Sequence, residues 1–150
     1  MVWTDRRHCL QALLAAGAVA AWPRRARACE VIASTLRITH PWTRGTAPGA
    51  TEAPLFVRFD EVRLSDRLIG LSTPIAAGAR LSDAAPGTPL DLPIPRGSVV
   101  DLAENGRHIV LTGLTRPVRF GLAFGLEFLF EQAGPVQADL SVDFPALRFL

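Results

Sequence analysis

Beyond residue 28, two histidines and one cysteine are the side chains best suited to hold a soft metal ion, and a histidine also moves protons. His108 stands in "GRHIVLTGL", residues 106 to 114, as the only ring with nitrogen donors in a strand-like apolar run. His40 closes "VIASTLRITH" and precedes Pro41 and Trp42. Cys29 supplies the one thiol outside the N-terminal segment. A site built from His40, His108 and Cys29 is chemically open, provided that the strands carrying the two imidazoles adjoin. The plainer alternative makes His108 a ring at a strand rim that hydrogen-bonds a neighbouring loop, and His40 a turn contact. Trp42 reads as an anchor packed over a barrel end.

Catalytic groupings are poorer. Ser72 or Ser82 with His108 and Asp83 supplies the residue types of a hydrolytic triad, yet no serine stands in a nucleophile elbow and no glycine-rich donor loop follows one. Asp60 and Glu61 are adjacent in a strand, so they point to opposite faces and are unsuited to paired acid–base work. "AENG" supplies a turn and no phosphate cradle. An enzyme is therefore not expected.

The elements that must position these residues are strands. Period-2 alternation marks them at 31–40, 53–62, 66–73, 78–83, 98–102, 107–114, 122–131 and 136–144. "APGA", "AAPGTP", "PIPRG", "AENG", "TRP" and "QAGP" break the chain where proline and glycine chemistry requires. This spacing, without helical periodicity, predicts one all-β sandwich or barrel of about eight strands. Phe124, Leu126, Phe128 and Phe130 share one face of their strand; Val136, Ala138, Leu140, Val142 and Phe144 form the matching inward set, and "EQAGPV" is the hairpin between them.

The first 28 residues form a separate object. Arg6 and Arg7, an apolar run from Cys9 to Trp22, and Ala26-Arg27-Ala28 have the order of a cleavable signal helix of the twin-arginine type, which predicts export to the periplasm. The run is too short to span a bilayer comfortably, so no stable membrane span is expected after cleavage. Cys29 follows the alanine directly, which raises lipidation, but Arg27 stands where a small uncharged residue belongs. The expected domains are the signal, 1–28, and a β-barrel domain, 29–150. The leader holds five arginines and one aspartate, so eleven basic residues remain against thirteen acidic ones. The formal charge of +2 thus belongs to the leader, and nothing in the rest recommends a nucleic-acid partner. Cys29 alone allows no internal disulfide after cleavage.

With these residues placed, a family resemblance emerges. "ITHPWTRGTAPGATEAPLFVRF", "DRLIGLSTPIAAGARLSD", "LPIPRGSVVDLAENGRHIVLTGLTRPVRFG" and "LEFLFEQAGPVQADLSV" follow the order and spacing of the periplasmic copper chaperones of the PCu(A)C family, over roughly residues 36 to 142. The most specific pieces are Pro41-Trp42-Thr43-Arg44 before a Pro-Gly turn, Asp66-Arg67-Leu68, Pro95 with Gly97, and the glycine-then-histidine strand ending at Leu114. The resemblance implies a cupredoxin-like Greek-key β-barrel that binds copper(I) and supplies it to the CuA centre of cytochrome oxidase, a copper-receiving periplasmic partner. It also implies two histidines and two methionines as ligands, one His-x-Met pair lying on a single strand. The histidine of that pair is His108 and the methionine position holds Val110. Ser82 occupies the position of the second histidine, and "AAPGTPLD" replaces the methionine-bearing hairpin. The only methionine is Met1. Two readings follow: a copper chaperone with weak or altered copper(I) binding through His108, with His40 as the other candidate ligand, or a β-domain that has lost the metal and acts as a binding or adaptor module.

Overall fold

A computed structural model describes residues 30–144; the leader expected over residues 1–28, the arginine pair expected in it and Cys29 lie outside the described residues. Ten strands follow in order: β1 (Glu30–Ile32), β2 (Arg37–Thr43), β3 (Glu52–Asp60), β4 (Asp66–Ser72), β5 (Ala76–Leu81), β6 (Leu92–Ile94), β7 (Val100–Leu102), β8 (Ile109–Leu114), β9 (Ala123–Phe130) and β10 (Gly134–Val142). Eight of them run side by side as β5-β8-β3-β2-β10-β9-β4-β6, with β1 on β2 and β7 on β3. The sheet rolls into a nearly closed all-β barrel, as alternation and turn spacing predict. All pairs are antiparallel except β2 with β10. The last strand thus returns parallel to the first long one, which makes the sheet mixed.

Three details differ from the sequence reading. The first predicted strand is two: residues 33–36 turn the chain, closed by Ala33 N–H donating to the Leu36 carbonyl at 2.9 Å, and β1 folds back on β2 as a hairpin. Its apolar-polar rhythm survives the turn because Thr35 is itself buried, donating to the Asp66 carboxylate at 2.8 Å. Second, β6 lies in "LPIPRG", a stretch whose prolines read as a break. Three residues suffice for it to pair with β4, through Leu92 opposite Leu68 and Ile94 opposite Asp66. Third, Phe144 falls beyond the end of β10 and is exposed, stacked on Phe120.

The interior is apolar throughout. Leu126, Phe128 and Phe130 point inward with Ala138, Leu140 and Val142, and Phe59 meets Phe128 and Phe130 edge-on at 5.7 and 5.8 Å. Val136 is only half-buried, since it stands near the hairpin end. One carboxylate fastens this core at its margin: Asp66 accepts hydrogen bonds from Thr35 Oγ1 and from the backbone N–H groups of Arg67, Gln132 and Ala133. Burial pushes its carboxyl up, yet those hydrogen bonds together outweigh burial and hold it below the usual carboxylate range. It thereby ties the β1–β2 turn and the β9–β10 turn to β4.

Asp60 and Glu61 do not point to opposite faces as two adjacent strand residues would: β3 ends at Asp60, Glu61 follows at a φ of 46°, and Arg37 reaches both carboxylates, at 2.7 and 3.0 Å. Their role is an ion-pair clamp. The Arg37 hydrogen bonds hold the Asp60 carboxyl below its ordinary range, with burial opposing and Arg58 assisting.

Candidate functional site

The strands β5, β8, β3 and β2 have an outer face, and the register places the candidate residues on it. The last β5–β8 pair is Leu81 with Ile109, and the ladder continues one step: Ser82 N–H donates to the His108 carbonyl at 2.9 Å, and His108 N–H donates to Ser82 Oγ at 3.1 Å. Ser82 and His108 are thus cross-strand neighbours. Alternation puts Val110 on the same face, paired with Arg80 on one side and Pro54 on the other. Ile109 pairs with Leu55, so Phe56 stands beside His108, and Trp42 pairs with Phe56.

These positions form an aromatic row across the sheet. The His108 ring lies 5.6 Å from Phe56, Phe56 lies 4.7 Å from Trp42, and Trp42 lies 6.4 Å from His40. Trp42, Phe56 and Val110 are 0%, 1% and 8% exposed, yet they belong to none of the interior packing, so this face carries a small apolar layer of its own. Arg44 stacks over Phe56 at 5.5 Å and pairs with Glu104 at 3.8 Å.

His108 is held in one orientation. Its Nδ1 lies 3.0 Å from the Gly106 carbonyl, which can only accept, so Nδ1 carries the proton and Nε2 is the nitrogen left to face a ligand or solvent. This hydrogen bond goes to the turn that leads into the strand, two residues back, and not to a neighbouring loop. His40 sits in a bulge where the register shifts between Thr39 and Trp42, at a φ of 46°, and its Nε2 is 3.4 Å from Asp143. β3 lies between β2 and β8, so the strands carrying the two histidines do not adjoin, and Trp42 and Phe56 stand between the imidazoles. The structure does not bring His40 and His108 together, and Cys29 lies outside the described residues.

Ser82, His108 and Asp83 are not linked as a hydrolytic triad. Ser82 Oγ is engaged by the backbone N–H of His108, and Asp83 is held by Arg107 at 3.0 Å.

Comparison with known proteins decides the family. The LpqE-like family model, which describes a lipoprotein, matches residues 36–142, about the span over which the motifs run. The chain belongs to the LpqE-like family. Solved structures agree with its PCu(A)C character. A copper-bound PCuAC domain from PmoF2 is 29% identical, covering 77% of this chain and 98% of that one with a TM-score of 0.68. An apo PCuAC domain from PmoF1 is 23% identical at a TM-score of 0.68, covering 77% and 99%. Cu(I)-DR1885 of Deinococcus radiodurans is 18% identical at 0.60, covering 81% and 85%. The last two show the shared fold. A search of curated proteins finds no match.

Among the described residues, this LpqE-like face offers copper(I) one imidazole and no sulfur donor. Copper(I) favours thioether, thiolate and imidazole. Around His108 stand a hydroxyl already accepting a hydrogen bond, a valine and a phenylalanine, and among the described residues no three His, Cys, Asp or Glu side chains converge. Sequence reasoning found His108, Val110 and Ser82; it missed Phe56, whose signal was its alternation with Pro54 and Arg58 in β3.

Proposed function

We propose that this chain is a copper-chaperone-like domain of the cell envelope that has given up a closed copper(I) site. It meets copper only weakly, through His108 Nε2, and it has no catalytic activity. Residues 1–28 direct it through the twin-arginine route to the periplasm, and its partner is a copper-receiving protein, with the CuA centre of cytochrome oxidase as the receiver that the family resemblance implies. The observation that carries the reading is the cross-strand pair Ser82–His108 with Val110 beside it: one oriented imidazole, with serine and valine where the family pattern has histidine and methionine. Membership of a family described as lipoproteins supports a location outside the cytoplasm.

A second reading follows from the same face. Trp42, Phe56 and Val110 pack as an apolar layer that needs no metal, which favours an adaptor that recognises its partner through this barrel alone. Anaerobic titration with copper(I) against a competing chelator separates the two. Weak binding lost in His108→Ala supports the first reading. No difference between the wild type and His108→Ala supports the second, and stoichiometric binding that survives a strong chelator overturns both.

A further inference from the structure

The barrel end at which His40 meets Asp143 carries a surface that the outer face does not use. Residues 115–122, "TRPVRFGL", join β8 to β9. Their backbone is pinned: Thr46 N–H donates to the Val118 carbonyl and Val118 N–H to Thr46 Oγ1, both at 2.9 Å. Gly121 N–H donates to the Val142 carbonyl at 3.1 Å, and Val142 N–H to the Leu122 carbonyl at 3.0 Å. On this fixed backbone Phe120 and Leu122 are 49% and 46% exposed, and Phe120 stacks on Phe144, itself 51% exposed, with centroids 4.4 Å apart. Three large apolar side chains gathered in water mark a contact surface.

The loop itself carries charge of one sign. Arg116 and Arg119 are exposed on the same loop, and residues 113–126 contain no acidic side chain. The Arg116 guanidinium lies 5.4 Å from the Phe124 ring centre, and nearby Asp143 is engaged by Ser141 Oγ at 2.9 Å and by His40. Rings and leucine flanked by arginines match the boundary of an anionic bilayer, where apolar side chains enter the acyl margin and guanidinium groups meet phosphate.

We infer that Phe120, Leu122 and Phe144, with Arg116 and Arg119, form a surface that rests on anionic membrane. It is independent of whether His108 meets copper. The test uses the full chain with vesicles of phosphatidylglycerol and phosphatidylethanolamine, compared with phosphatidylcholine alone, read by flotation and by hydrogen exchange. Anionic vesicles are expected to protect residues 115–123, and phosphatidylcholine is expected not to. Phe120→Ser/Phe144→Ser should weaken flotation about tenfold or more and abolish that protection while leaving the melting temperature nearly unchanged. Arg116→Gln/Arg119→Gln should remove most of its salt dependence. Residues 1–28 are common to every variant, and the exchange readout is local to the loop. An unprotected loop on anionic vesicles overturns the inference. So does protection that rises with protein concentration without vesicles, which would assign the patch to a second copy of the chain.

Discussion

Replacing Ser82 by histidine should turn a single imidazole into a pair. Ser82 and His108 exchange hydrogen bonds across the β5–β8 ladder, at 2.9 Å through the backbone and 3.1 Å through Ser82 Oγ. Side chains in such directly opposed positions leave the sheet on the same face with Cβ atoms about 4.5–5.5 Å apart. Metal–imidazole bonds are about 2 Å long, so the two rings can converge on one ion. His108 is already oriented by the Gly106 carbonyl, so the second donor acts at a fixed site; tethering of this kind raises overall affinity by roughly 10²–10⁴-fold, or about 3 to 6 kcal/mol. The substitution removes the hydroxyl that accepts the His108 N–H, costing about 1 kcal/mol of stability at this half-buried position. Anaerobic chelator competition with copper(I) reads the gain and thermal unfolding reads the loss. The reasoning fails if Ser82→His folds normally and binds copper(I) no tighter than the wild type, or if the gain persists after His108→Ala is added.

Four further outcomes follow. Asp66→Ala strands four donors at a buried site and should cost about 3 to 5 kcal/mol in denaturant unfolding, with a loss under about 1 kcal/mol refuting its fastening role. Because the Asp66 and Asp60 carboxyls are held low in the folded state, their stabilisation is complete above the usual carboxylate range and is lost as pH falls through their depressed pKa values; acid titration of unfolding should lose this component in Asp66→Asn. Gly113 has a φ of 63°, and a Cβ there would stand 2.8 Å from the Ala77 Cβ, so Gly113→Ala should cost about 2 kcal/mol or more, seen as a lower melting temperature. Long-range ¹H–¹⁵N correlation should show neutral His108 with its proton on Nδ1; an Nε2-protonated ring would remove the oriented donor.

The barrel was legible wherever one face of a strand is buried. Phe128 and Phe130 alternate with Leu129 and Glu131 so regularly that the inward face of β9 follows from the letters, and Leu140 with Val142 does the same for β10. Alternation failed at the margins. Thr35 kept the rhythm across a turn because its hydroxyl is buried against Asp66, a partner 31 residues away. β6 was hidden because proline within an edge strand looks like a break. For the site, the vicinity of Ser82 to His108 was implied by the family resemblance and is visible in the ladder. The separation of His40 from His108 was not legible, because it depends on β3 inserting between their strands, a matter of topology that spacing does not encode. Phe56 was lost for the opposite reason: β3 is buried on both faces around it, so Leu55, Phe56 and Val57 read as one apolar run.

β8 is buried on both faces in the same way from Ile109 to Leu111, with a consequence for how such a chain changes over time. Ile109 and Leu111 look into the interior, whereas His108 and Val110, interleaved with them on the same strand, look only at the outer layer. Selection on folding through the interior and selection on what the outer face meets therefore bear on alternate letters of one segment. Descent is recorded in the inward letters and present chemistry in the outward ones, and the two can diverge at every second residue.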